Sequence, residues 1–313
     1  MPQPPSATGP CGLAVPSPPS PSPAVALTLA LQLALELELA LSDRRNRVMW
    51  LNNERVFYAG LLGRVSLRAI GAWQVYASMG EPIRVQRGDG DWQSTDLAVV
   101  PSCASHRVAR DQRLIVCLSI EPETVDPTGL PALLRQRQGV LPLDPKAAAF
   151  SRVRQGHAWL RGEGREAALP TADFDTLFFG RPLQARRLDA RIAGTQEDVR
   201  NEPSAAASAQ QCAERAVLWF SRFLRLFKAE VGTPFRSVRA WKRARSLLHH
   251  VTCDAHPVHV ALNAGYPNAT HFSHTIRQVY GLKPRDLFAG SRQLRVWGDS
   301  PPARAAAQAE AWR

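Results

Sequence analysis

Residues 220–248 read FSRFLRLFKAEVGTPFRSVRAWKRARSLL, and residues 260–288 read VALNAGYPNATHFSHTIRQVYGLKPRDLF. The two stretches repeat one pattern. Phe223, Phe227 and Gly232 stand at the same intervals as Phe272, Ile276 and Gly281, 49 residues further on. Apolar residues four apart share one face of a helix, and a glycine just beyond suits a left-handed C-cap. Ala213 and Ala261 lie upstream, and Pro234 and Pro284 follow the two glycines. A small helix, a turn and a second helix with one apolar and one polar face make a helix-turn-helix. Gly265 marks the second turn. The reading helices are predicted over 220–230 and 268–280.

Between the repeats, Phe235–His250 carries one continuous helical pattern with Arg236, Arg239, Lys242, Arg243 and Arg245. A helix of that length spans about 24 Å, which can set two reading helices in successive major grooves on one face of DNA. The charge agrees with that partner. Residues 186–297 hold 18 Lys and Arg against 8 Asp and Glu, net +10 of the chain's +12. Such a basic region points to a polyanion, double-stranded DNA first.

The 313 residues, 45% apolar and 21% charged, have room for two domains. Residues 1–46 are predicted to be a disordered low-complexity extension. Nine prolines and no charged residue fill positions 1–23, and Leu then takes every odd position from Leu27 to Leu41. That run contains Gln32, Glu36 and Glu38 and falls short of the roughly 20 apolar residues of a membrane span, so no membrane partner is expected. Five cysteines without paired spacing predict neither disulfides nor a zinc site, and so a reducing cytoplasm. Over 47–125, the runs Val56–Leu62, Trp73–Ala77, Ile83–Val85, Leu97–Val100 and Leu114–Ile120 alternate with turn signals and predict a β-barrel or sandwich. Residues 126–185 predict helices at Leu130–Gln138, Pro145–Leu160 and Pro170–Phe178; 186–297 form the helical DNA-binding domain, and 298–313 a disordered Ala-rich tail. The fold class is therefore α+β with more than one domain. No Ser/His/Asp or Cys/His grouping suggests an enzyme. His256, His259, His271 and His274 fall inside the second helix-turn-helix, whose geometry accounts for them, so neither metal nor cofactor is expected.

From Leu188 to Phe288, about 100 residues, the quoted stretches resemble the AraC/XylS family of bacterial transcription regulators. The resemblance implies a homeodomain-like seven-helix unit with two helix-turn-helix motifs, binding to promoter DNA, and recruitment of RNA polymerase, usually for activation. Carried across position by position, the base-reading residues are Ser221, Arg222 and Arg225 in the first helix, with Ala269, Thr270, Ser273 and His274 in the second. Arginines there can each reach guanine O6 and N7 for about 1–3 kcal/mol of discrimination, and Ala269 and Thr270 can meet thymine methyls. Arg236, Arg239, Lys242 and Arg277 are expected on phosphates. The first motif departs from the family. Val217, Leu218 and Trp219 stand where a small residue and a capping Ser are usual, so Trp219 is expected to pack elsewhere.

The segment 47–125 also resembles the family's cupin-type sensor domain. That implies a small-molecule effector in the barrel mouth, with Trp73 and His106 as its contacts, and a homodimer formed through 126–185. Enzymatic cupins cluster histidines around a metal, whereas Arg64–Gln74 offers Ser66, Arg68 and Trp73 and no histidine. Two other readings remain at this point. One is a regulator without ligand, controlled by abundance or by a protein partner; the other is a metal-dependent cupin enzyme fused to DNA-binding helices.

Overall fold

Short apolar runs closed by turn residues become the strands of the N-terminal half. The computed structural model describes residues 47–78, 80–111, 114–131, 141–143, 148–162, 168–204, 207–252, 257–291 and 294–298. The predicted extension at 1–46, the tail beyond Gly298, His256, and the Leu130–Gln138 helix past residue 131 lie outside them. The strands are β1 (Val48–Leu51), β2 (Arg55–Leu61), β3 (Trp73–Ala77), β4 (Ile83–Arg87), β5 (Trp92–Thr95), β6 (Leu97–Val100), β7 (His106–Ala109), β8 (Leu114–Ile120), β9 (Leu141–Leu143) and β10 (Arg295–Gly298). Among the described residues they form a seven-stranded sheet, in the order β10-β1-β2-β8-β3-β6-β9, and a three-stranded sheet, β5-β4-β7. Neighbours pair antiparallel except β1 and β10, which run parallel with Met49 opposite Val296. The last strand thus lies on the N-terminal sheet although its residues belong to the predicted helical domain and tail.

Both faces of the large sheet are buried, which is why its strands read as continuous apolar runs instead of an alternation. Val48, Trp50, Phe57, Val75, Leu118 and Ile120 face one side. There they meet α1 (Ala148–Arg161) and α2 (Phe174–Phe179), with Phe57 stacked on Phe178 at 4.9 Å between ring centres. The alternate residues Met49, Leu51 and Val56 face the opposite way, into the helical half. Further along, Tyr76, Ala98, Val100 and Ile115 turn toward Ile83, Val85 and Val108 of the small sheet.

The helical half comprises α3 (Ala190–Asn201), α4 (Ala209–Arg215), α5 (Phe220–Val231), α6 (Phe235–Ser246), α7 (Pro257–Asn263), α8 (Ala269–Tyr280) and α9 (Pro284–Ser291). The predicted Phe235–His250 helix is shorter as an α-helix. It ends at Ser246 and continues as a 3-10 turn over Leu247–His250. Its face of Phe235, Val238, Trp241 and Ala244 bridges two cores. Phe235 and Val238 join Phe223, Phe227 and Ile192 around α5, while Trp241 and Ala244 join Phe272, Ile276 and the sheet. Phe223, Phe227 and Phe235 form an aromatic trio with centroids 5.1–5.9 Å apart.

Candidate nucleic-acid interface

Each reading helix is presented by the helix before it through the same pair of backbone hydrogen bonds. In the first motif the Val217 N–H donates to the Glu214 carbonyl and the Leu218 N–H to that of Ala213. In the second, the Gly265 N–H donates to Leu262 and the Tyr266 N–H to Ala261. The pivot is left-handed in both, with φ of 76° at Gly265 and 53° at Val217. Glycine adopts that conformation freely; a β-branched residue does so only under strain. The second turn then spends one residue more, Pro267, before Asn268 caps α8 by accepting from the His271 N–H at 2.9 Å. Trp219 stands at the corresponding position of α5 and makes no capping hydrogen bond. Both reading helices close on the predicted glycines, whose N–H groups bond Lys228 and Arg277.

On α5 the buried stripe is Phe223, Phe227 and Val231, which leaves Ser221, Arg222 and Arg225 exposed together. On α8 it is Phe272, Ile276 and Val279; Ala269, Thr270 and His274 are exposed and Ser273 is half-buried. All seven residues expected to read bases therefore lie on the sides of their helices turned away from the cores. Arg236 and Arg277 are exposed, and Arg239 is half-buried on α6. Arg277 also lines a cleft of about 610 Å³ with Arg64, Arg110, Lys283 and Asp286.

Lys242 is a correction. Its ammonium is buried on the sheet side of α6, where it pairs with Glu121 and, at 2.8 Å, with Glu123. The Trp241 indole N–H donates to Glu121 at 3.1 Å, and the Arg245 guanidinium lies 3.7 Å from the same carboxylate. Burial works against ionisation of Glu121, but Lys242 and Arg245 outweigh it and hold this carboxyl below its usual range. Burial, reinforced by the charge of Glu121, pushes the Glu123 carboxyl up. A lysine so enclosed cannot reach a phosphate, and sequence reading missed the four-charge cluster that encloses it.

The expected effector contacts are also corrected. Trp73 sits on the face of β3 that packs into the core under α1 and α2. His106 is buried, with one ring nitrogen 2.8 Å from the Ala104 carbonyl and the other 2.9 Å from the Tyr76 hydroxyl. Burial pushes its pKa down to about 4, with the nearby Arg68 charge adding to the effect, so the ring is neutral. Neither residue lines the cavity between sheet and helices, which Tyr58, Arg68, Gln74 and Cys117 wall on one side and Trp241 and Tyr280 on the other. The volume of that cavity is about 70 Å³, far below the roughly 300–1,000 Å³ of ordinary small-molecule sites. The Arg68 guanidinium on its wall is buried, and its Nε and Nη2 lack hydrogen-bond partners. Among the described residues, no group of three or more His, Cys, Asp and Glu could hold a metal. Among them, too, no helix is long and apolar enough to cross a membrane.

Residues 212–290 match the model of a helix-turn-helix domain family. Over 69 residues the chain is 35% identical to the invasion protein InvF of Salmonella typhi, and equally to that of Salmonella typhimurium. The stretch is 22% of this chain and 32% of the relative, so the chain spans about a third of the length of the curated relatives it matches. Among solved structures, an apo variant of ToxT from Vibrio cholerae is similar with a TM-score of 0.50 and 11% identity. That match covers 76% of this chain and 97% of the other, and at this identity it is a likeness of fold.

Proposed function

We propose that this chain, whose residues 212–290 are a helix-turn-helix domain, is a sequence-specific DNA-binding transcription regulator of the AraC/XylS kind. One observation carries the reading. Two reading helices are set by the same pair of turn hydrogen bonds, each with its apolar stripe buried and its polar face outward, at the two ends of one bridging helix. Arg222 and Arg225 then read guanines from α5. Ala269, Thr270, Ser273 and His274 read from α8, while Arg236, Arg239 and Arg277 neutralise phosphates. On this reading the protein is not an enzyme. It works in the cytoplasm on promoter DNA and recruits RNA polymerase, with 47–125 as a cupin-like sensor and 126–185 as the dimerisation region.

A second reading keeps the DNA face and drops the effector. It is favoured by the internal partners of His106, the packing of Trp73 and the small size of the cavity beside Arg68. Abundance or a protein partner would then set activity.

Selection of sites by the full chain from a random DNA pool tests the proposal. Two reading blocks about 10 base pairs apart are expected. Arg225→Ala should erase the preference at one guanine, a loss of about 5- to 150-fold there, with non-specific binding nearly unchanged. A pool without enrichment would refute sequence-specific binding. Uniform weakening by Arg225→Ala would make that residue a phosphate contact.

A further inference from the structure

Three unfavourable features meet within four residues at the entry to α5. Val217 is 88% exposed and left-handed, Trp219 is 85% exposed at an uncapped helix start, and Phe220 is 45% exposed. A glycine, a serine and a polar residue at these positions would remove all three. The second motif shows as much, with Gly265, a capping Asn268 and the small Ala269. The apolar tip is therefore a property of the first motif, and packing does not explain it, because Val217, Trp219 and Phe220 are exposed while only Leu218 between them packs on the α5 core.

We propose that Val217–Phe220 is an apolar DNA-contacting tip, in which the Trp219 indole lies against a thymine methyl at the edge of the major groove read by α5. The inference rests on the DNA-binding reading above and adds a contact to it. Its surroundings fit a nucleic acid. Ser221, Arg222 and Arg225 are exposed on α5 just beyond the tip, whereas Arg215 before it is paired with Asp198 at 2.9 Å, so an apolar group is delivered beside two arginines. In helix-turn-helix docking the N-terminal residues of the second helix meet base edges, and the C5-methyl of thymine is the apolar group the major groove offers there. A protein partner fits less well. Three exposed side chains fall far short of the roughly 800 Å² per partner that a stable protein interface buries.

The test uses the full chain and Trp219→Ser, with the selected site carrying either thymine or deoxyuridine at each position under the first reading block. Wild type should lose affinity about fivefold at one thymine when its methyl is removed. Trp219→Ser should bind the thymine site that much more weakly and should ignore the thymine-to-uracil exchange at that position. Its melting temperature should not fall, since serine supplies the missing cap. Equal binding by the two proteins with the same response to uracil overturns the tip while leaving the regulator reading intact. Equal DNA binding together with loss of self-association in sedimentation overturns it in favour of a protein contact. If neither protein separates the selected site from random duplex, the DNA-binding reading itself fails, and the tip with it.

Discussion

Lys242 shows how far the partner of one side chain decides its meaning. Phe235, Val238, Trp241, Lys242 and Arg245 follow the i, i+3, i+6, i+7, i+10 spacing of the buried stripe of α6, and all five are buried. The stripe was legible in the apolar residues. That two cations belong to it was not, because the acids that receive them, Glu121 and Glu123, lie about 120 residues away. Removing one partner of a buried ion pair leaves an uncompensated charge, which typically costs about 3–5 kcal/mol. Lys242→Met should therefore lower the stability measured by chemical denaturation by about that amount. The salt dependence of DNA binding should keep its slope, since no phosphate contact is lost. A slope reduced by about one, with stability unchanged, would return Lys242 to the DNA face.

The helix-turn-helix is where sequence and structure agree best at the level of elements. The spacing of Phe223, Phe227 and Gly232 fixes a buried stripe and a left-handed C-cap by local physics alone, and α5 runs over Phe220–Val231 with Gly232 at φ 79°. The turn before it was not legible. Nothing in a string of apolar letters says that Val217 takes the conformation that Gly265 takes in the second motif. The expectation that Trp219 packs elsewhere fails for the same reason: a turn one residue shorter leaves it at the helix start with no core within reach. The sheet has a similar blind spot. Strand β10 looks like an isolated short run, and its parallel pairing with β1 is what makes it a strand. At Val217 the left-handed conformation costs about 1–2 kcal/mol for a residue with a Cβ, and the exposed side chain contributes no packing in return. Val217→Gly should accordingly stabilise the protein by about 1 kcal/mol, seen as a rise in the denaturation midpoint at an unchanged slope. A fall in the midpoint would mean that the Val217 side chain is held by contacts in solution.

Across the whole molecule the two reading helices are mounted differently. The core of α8 is continuous with the sheet through Met49, Leu51, Val56, Ile70 and Ala72, and β10 fastens the segment after α9 to β1. The core of α5 is separate, built from α3, α4 and the first turns of α6. Polar contacts tie this region to the β half, including the 2.7 Å hydrogen bond between Ser102 and Thr233 and the Arg186 guanidinium shared by the Pro122 and Val231 carbonyls. Opening the first unit would expose one small apolar core, whereas releasing α8 would breach the core shared with the sheet. Regions with fewer buried apolar contacts open at lower free energy. Native-state hydrogen exchange should therefore show the amides of α5 exchanging through a partial opening, with those of α8 protected to the level of β2 and β8. DNA binding would then draw on an unequal pair, a fixed reader on the sheet and a looser one that adjusts to its groove. Protection of α5 equal to that of α8 would make the two motifs one cooperative unit and remove that asymmetry.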